Sequence, residues 1–367
     1  MKKILVVFGT RPEAIKMCPL VKQLKKEKCF QTIVCVTGQH REMLKQVLDA
    51  FSIFPDYDLK IMQTGQTLYE ITEGVLKGMN GVLNMEQPDL VLVHGDTTTS
   101  FVSALSAFYQ HIPVGHVEAG LRTYNLEAPY PEEFNRQCVG ILAEYHFAPT
   151  IAAKDNLIKE GKMRDKVYVT GNTVIDALQT TVVPNYHHDI LDWAADSRLI
   201  ILTAHRRENL GKPLYDIFYG IKNVLNEIED IKIIYPIHPN PRVREAAYEV
   251  FGSHERIRIV DPLDVLDFHN IMSRSYLILT DSGGIQEEAP ALGKPVLVLR
   301  NTTERPEGVT AGTLKLVGTK TDVIAEELKR LLMDNTCYQQ MSKAINPYGD
   351  GKACEKIVKI LKNEFVE

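Results

Sequence analysis

The residues best suited to chemistry in this 367-residue chain are Asp281-Ser282-Gly283-Gly284, set between an apolar run at 276–280 and a helix-forming stretch at 285–289. A strand that turns through paired glycines into a helix start offers free backbone N–H groups at the positive end of a helix dipole. That arrangement suits a phosphate. An ordinary strand-to-helix turn with Ser282 as N-cap is the plainer reading of the same residues. Glu287 and Glu288 follow at once. Two carboxylates would repel phosphate, so they are expected to face something else, a sugar hydroxyl being the first candidate.

Other reactive side chains also follow apolar runs. Gly9-Thr10-Arg11-Pro12 continues to Lys16. Pro12 suits a first helical turn, which leaves Arg11 and Lys16 as cations beside a helix start, fit for a pyrophosphate; Lys16 reads equally as a solvated helix residue. The run 90–93 ends in His94-Gly95-Asp96, the run 114–117 in Glu118-Ala119-Gly120, and Pro131-Glu132-Glu133 opens a helix. Asp96 alone reads as an N-cap, and Glu132 or Glu133 as a carboxylate favouring the helix dipole. Three acidic tips in succession are harder to explain that way.

In the second half, Thr203-Ala204-His205-Arg206-Arg207-Glu208 joins an imidazole to two guanidinium groups, and His238 stands in a proline-bounded loop. His205 also reads as a structural histidine, and Arg206 and Arg207 as surface partners of Glu208. Arg305 is placed to reach a phosphate on the 282–284 turn, with Glu304 or Glu307 to hold it. No histidine or cysteine spacing matches a metal site, so no metal is expected.

The elements that must position these groups alternate regularly. Apolar runs at 4–8, 32–36, 90–93, 114–117, 145–147 and 167–169 are separated by segments of helical periodicity. A second series follows at 199–202, 232–235, 257–260, 276–279 and 295–299. This is the pattern of two doubly wound α/β domains, and in such sheets ligands lie beyond the carboxyl ends of the strands. The expected division is 1–172 and 173–351, with a last helix at 352–365 packing back on the first domain. G-x-G-x-x-G is absent, so neither a dinucleotide nor another redox cofactor is expected.

With 44% hydrophobic residues, 42 basic against 47 acidic residues and a net charge of −5, the chain has a core and no general affinity for nucleic acid or anionic membranes. The six cysteines form no C-x-x-C pair. No apolar stretch reaches a membrane span, and the apolar run after the first residues is too short for a signal peptide. A cytoplasmic protein with reduced thiols is expected.

Together these segments resemble the non-hydrolysing UDP-N-acetylglucosamine 2-epimerase family. The resemblance is carried by FGTRPEAIKM at 8–17, TGQHREML at 37–44, VLVHGDTTTS at 91–100, GHVEAGLRT at 115–123, PEEFNR at 131–136, TGNTVIDAL at 170–178, TAHRREN at 203–209, YPIHPNP at 235–241, LTDSGGIQEEAP at 279–290, GKPVLVLRNTTERPEG at 293–308 and NPYGDG at 346–351. It implies a glycosyltransferase-B-like pair of Rossmann-type domains with the active site in the cleft between them, a homodimer, and a role in surface-polysaccharide synthesis. The implied isomerase reaction interconverts UDP-N-acetylglucosamine and UDP-N-acetylmannosamine without a cofactor. A hydrolysing epimerase and a glycosyltransferase of similar fold are the alternatives.

Carried over by position, the resemblance makes Asp96, Glu118, Glu132 and His205 catalytic. It gives nucleotide-sugar contacts to Arg11, Lys16, Phe268, Ser282, Gly283, Gly284, Glu288 and Arg305, with Glu288 on the ribose. A second, activating UDP-N-acetylglucosamine would use Gln39, Glu132, Arg206 and His238, although Glu42 and Gly65 depart from the residues usual at that site.

Overall fold

A computed structural model of the chain describes residues 1–38, 41–63 and 65–366, excluding the side chains of 41–43. It comprises two compact units, one of residues 1–180 joined by the segment from Tyr348 onward, the other Thr181–Pro347.

In the first unit the strands are β1 (Lys2–Phe8), β2 (Phe30–Val36), β3 (Tyr57–Asp58), β4 (Leu90–His94), β5 (Val114–Val117), β6 (Tyr145–Ala148) and β7 (Val167–Val169). They pair in parallel in the order β3-β2-β1-β4-β5-β6-β7. Helices cover both faces, which is why central strands such as β1 and β4 read as unbroken apolar runs, with Leu5, Val6, Val7 and Leu90 to Val93 wholly buried.

The second unit holds β8 (Arg198–Thr203), β9 (Ile231–Pro236), β10 (Ile257–Val260), β11 (Leu277–Thr280), β12 (Val296–Val298) and β13 (Leu314–Leu316), ordered β10-β9-β8-β11-β12-β13. Both sheets are therefore doubly wound. The strand order reverses between β1 and β4 in one and between β8 and β11 in the other, and a crevice opens at each such switch point. The residues singled out above follow these four strands and their neighbours. The two strands not anticipated are β3, only two residues long, and β13, whose apolar run is interrupted by Lys315.

The division falls after Thr180, not after residue 172. The helix Thr173–Thr181 is bound to the first unit through Asp176, whose carboxylate accepts from the N–H groups of Ala353 (3.1 Å) and Cys354 (2.8 Å) and so caps the last helix, Ala353–Phe365. Asn172 N–H donates to the Tyr348 carbonyl at 2.7 Å. The last helix packs on the helix Arg11–Lys25, with Lys362 3.0 Å from Glu27. Among the described residues no helix is long and apolar enough to cross a membrane.

Candidate active site

The second unit's crevice is built on Asp281. It is fully buried just past β11, and its Oδ2 accepts from the N–H groups of His205 and Arg206, both at 2.8 Å, and from Asn209 Nδ2 at 3.0 Å. The loop after β8 is thereby fastened to the turn after β11. Thr203 and Thr280, paired in register, join their hydroxyls at 2.6 Å beneath it.

Ser282 does not cap the following helix, Ile285–Ala291. The N-cap is Gly284, with no side-chain capping bond, and Ser282 N–H donates to Thr280 Oγ1. The N–H groups of Gly283, Gly284 and Ile285 have no acceptor among the described residues, so they stand available to an anion. Two guanidinium groups converge on the same turn. A Cβ at Gly283 would lie 3.6 Å from Arg206 Nη2 and 3.8 Å from Arg305 Nη2.

Arg206 is fixed from behind by its Nε, which donates to the Asp281 carbonyl. Arg305 is held by the buried Glu287, through a close Nε contact to Oε1. Of the two carboxylates expected to hold it, Glu304 does not do so through its side chain. Glu304 instead grips Arg300 at 2.7 Å, and its carboxyl falls to about 2: burial pushes it up, but the Arg300 guanidinium outweighs that. Glu208 also pairs with Arg300, at 2.7 Å, and not with Arg206 or Arg207.

Glu287 and Glu288 thus have separate tasks. Glu288 turns toward His269, whose Nε2 lies 3.5 Å away and whose Nδ1 shares a hydrogen bond of 2.7 Å with Thr181. Phe268, half-buried on the helix Val265–Arg274, precedes that histidine. His205 lies parallel to His238 with ring centroids 5.1 Å apart. Burial pushes the His205 imidazole below its ordinary range, the nearby Asp281 opposing and His238 and Arg206 reinforcing the shift, so it is neutral at pH 7.

The first unit gathers carboxylates. Thr10 and Glu13 form a capping box at the helix Arg11–Lys25, which places Arg11 at its first position and Lys16 one turn further. Gly9 lies so close to the hydrogen-bonded hydroxyls of Thr37 and Thr99 that a Cβ would come within 2.0 Å of the first. Lys16 places its ammonium on Glu118 Oε2. Asn172 Nδ2 donates to the same oxygen at 2.7 Å, and His94 Nε2 lies 3.6 Å from it. Burial raises the Glu118 carboxyl, but Lys16 and then His94 prevail and hold it well below its usual range. Its backbone is left-handed, at φ 63°, a costly conformation for a non-glycine residue.

Asp96 is not the cap of the helix Thr98–Tyr109. Thr97 is, accepting from Ser100 N–H at 3.0 Å. The Asp96 carboxylate meets the Arg136 guanidinium, and Asn135 Nδ2 donates to its carbonyl at 2.9 Å. Of the two glutamates opening the helix Glu132–Leu142, Glu133 is buried and structural: it accepts from the N–H groups of Thr123 and Tyr124, both at 3.0 Å. Glu132 is half-buried and makes no hydrogen bond or ion pair with a described residue. Gln39 lies outside the described residues.

Three residues here escaped sequence reasoning. Glu13 is wholly buried and receives the N–H groups of Gly9 (3.0 Å) and Thr10 (2.8 Å) and the hydroxyls of Thr97 (2.6 Å) and Ser100 (2.9 Å), tying the β1 and β4 loops together. The Thr10-x-x-Glu13 spacing was its visible signal. Asn172 reaches Glu118, and His269 reaches Glu288 and Thr181, through contacts distant in sequence, and these left no signal.

One unit therefore offers carboxylates for proton transfer, the other a cationic, N–H-lined cradle for a diphosphate. Among the described residues no group of three or more His, Cys, Asp or Glu side chains is arranged to hold a metal.

Known proteins match this pattern along nearly the whole chain. A family profile described as UDP-N-acetylglucosamine 2-epimerase matches residues 22–362. The chain is 58% identical over 359 residues to the UDP-N-acetylglucosamine 2-epimerase of Bacillus subtilis (strain 168), spanning 98% of this chain and 94% of that one. The crystal structure of UDP-GlcNAc 2-epimerase from Neisseria meningitidis bound to UDP-GlcNAc superposes with a TM-score of 0.90 at 48% identity, covering 98% of this chain and 100% of the other. An S. aureus MnaA–UDP co-structure gives 0.92 at 54% identity, with 99% and 97% coverage. The chain belongs to the UDP-N-acetylglucosamine 2-epimerase family.

Proposed function

We propose that the protein is a non-hydrolysing epimerase that interconverts UDP-N-acetylglucosamine and UDP-N-acetylmannosamine. The observation that carries this reading is the environment of Glu118. A carboxylate held well below its usual range is ionised at neutral pH but is a weak base. The proton on carbon 2 of the sugar, with no carbonyl beside that carbon, is out of its reach until something acidifies it.

Departure of UDP from carbon 1 does so, because oxocarbenium character develops at the adjacent carbon. Glu118 or Asp96 then removes the proton to give 2-acetamidoglucal. Re-addition of UDP, with protonation at the opposite face, completes the epimerisation. Two faces need protonic groups on two sides, and Asp96, Glu118 and Glu132 are the candidates. His205, neutral, is a further candidate, as a hydrogen-bond donor.

Arg206, Arg305 and the N–H groups at 283–285 suit the departing diphosphate, whose charge they stabilise. Both guanidinium groups are anchored by the protein, so they are in place before charge develops on the leaving group. Arg11 and Lys16 are proposed to complete the contacts, with Glu288 on the ribose and Phe268 beside the base. Arg206 and His238, with Gln39 and Glu132, are the proposed contacts of an activating second nucleotide sugar. Phe108, Tyr109, Phe134 and Ile141, exposed on the adjoining helices Thr98–Tyr109 and Glu132–Leu142, support a homodimer.

Incubation with UDP-N-acetylglucosamine in heavy water tests the reading. UDP-N-acetylmannosamine bearing deuterium at carbon 2 is expected by NMR, whereas free sugar as the main product would refute it.

A further inference from the structure

Glu118 is oriented with unusual completeness. Its Oε2 is met by the Lys16 ammonium, by Asn172 Nδ2 at 2.7 Å and by His94 Nε2 at 3.6 Å. The charged or titratable groups facing it are thus Lys16, from the helix Arg11–Lys25, and His94, from the end of β4. Oε1 faces Gly95, where a Cβ would come within 3.5 Å of it. The two oxygens are therefore unequal.

Asn172 is the neutral member of the three, and it is held elsewhere as well. Its N–H donates to the Tyr348 carbonyl at 2.7 Å, and its Oδ1 accepts from Val174 N–H at 3.1 Å, at the start of the helix Thr173–Thr181. Gly171 and Gly349 pack so closely alongside that a Cβ on Gly171 would lie 3.2 Å from Gly349 Cα. A side chain fixed at its backbone and at one amide atom can aim the other amide atom with little freedom. Asn172 is almost wholly buried, and its free orientation has been removed before substrate arrives.

We propose that Asn172 is a positioning residue of the epimerase reaction: by donating to Oε2 it fixes the rotation of the Glu118 carboxylate, so that Oε1 is the oxygen that exchanges a proton with the sugar. This rests on the function proposed above. The amide has a second effect. A donor that favours the ionised carboxylate keeps Glu118 anionic, and it does so without adding a charge that could compete with Lys16. The left-handed backbone at Glu118 fits the same account, since strain persists where surrounding contacts dictate the conformation.

Two substitutions separate positioning from folding. Asn172→Ser keeps an acceptor for Val174 N–H but cannot reach Glu118. Asn172→Asp keeps that acceptor and sets a carboxylate against Oε2. Both are expected to stay folded, Asn172→Ser with a modestly lowered midpoint and Asn172→Asp, which brings two carboxylates together in a buried place, with a lower one. Both should bind UDP normally and lower kcat by about tenfold or more with KM changed less than about threefold. In Asn172→Asp the acidic limb of the kcat profile moves to higher pH, because a like charge makes Glu118 easier to protonate.

The Glu118 carboxyl is read directly by carbon-13 NMR titration, its resonance assigned by its loss in Glu118→Gln. An upward displacement is expected in Asn172→Asp. Folded variants with wild-type kcat, an unmoved pH profile and an unmoved Glu118 titration would overturn the assignment. If the wild-type protein has no epimerase activity while the Glu118 titration still responds to Asn172, the functional reading falls and the contact between the two residues stands.

Discussion

Asp281 is the residue on which the second unit's crevice depends, and its removal has a calculable cost. Its Oδ2 takes three donors, two of them backbone N–H groups at 2.8 Å and one the Asn209 amide at 3.0 Å. A hydrogen bond to a charged group contributes about 1.5–3 kcal/mol and a neutral one about 0.5–1.5. Asp281→Asn therefore loses about 1 kcal/mol at each donor, or about 3 kcal/mol in all, less the smaller burial cost of an amide. Asp281→Ala strands two part-buried N–H groups at up to about 1–3 kcal/mol apiece, while Asn209 keeps the Leu299 carbonyl at 3.1 Å. The chain's one tryptophan, Trp193, lies in this unit, so its fluorescence in urea reports the relevant transition. With a denaturant slope of about 2–3 kcal/mol per molar, the midpoint of Asp281→Ala should fall on the order of 1 M, with Asp281→Asn at or above it. UDP affinity should fall in parallel, because the loop carrying His205 and Arg206 loses its tether. A wild-type midpoint in Asp281→Ala would refute the reasoning.

Other outcomes follow from the same geometry. Gly283→Ala should fold normally, since its new methyl meets only ordinary contacts at 3.6–3.9 Å, yet weaken UDP binding about tenfold by calorimetry because that methyl occupies the space between Arg206 and Arg305. Arg305→Met should weaken UDP by about 2–3 kcal/mol, roughly 30- to 150-fold, and Glu287→Gln by less, since it keeps the position and loses the charge; equal affinity in all three proteins would dismiss the cradle. Burial pushes His116 down to about 3 and His146 to about 4, each below the ordinary 6.5, so both stay neutral in the fold while the unfolded chain takes up protons first. Stability present above pH 6.5 is then lost as pH falls toward 4, at about 1.4 kcal/mol per pH unit for each imidazole. His116→Gln should lessen that slope in urea midpoints taken from pH 7 to 5, and an unchanged slope would count against it.

The architecture was readable because parallel strands buried on both faces leave unbroken apolar runs. β3 and β13 were not: β3 has two residues, and Lys315 interrupts the apolar run of β13. The unit boundary was misjudged because Asp176 caps a helix nearly 180 residues away, a bond no local pattern records. Local spacing likewise pointed Arg305 to Glu304, four residues from Arg300 and next to Arg305. Packing instead gave Arg305 the buried Glu287, on the helix that follows the neighbouring strand β11, and gave Glu304 to Arg300. The strand tips were visible as candidate chemistry; which groups orient them was not. Asn172 reaches Glu118 across 54 residues, and Glu13 reaches Ser100 across 87.

The central claim is that UDP leaves carbon 1, is held, and returns. Positional isotope exchange tests it most directly. UDP-N-acetylglucosamine labelled with oxygen-18 in the bridge between carbon 1 and the β-phosphorus should, on incubation with the protein, redistribute that label into the non-bridging β-phosphate oxygens, seen as a phosphorus-31 shift. Epimerised product with all of its label still in the bridge would contradict the account.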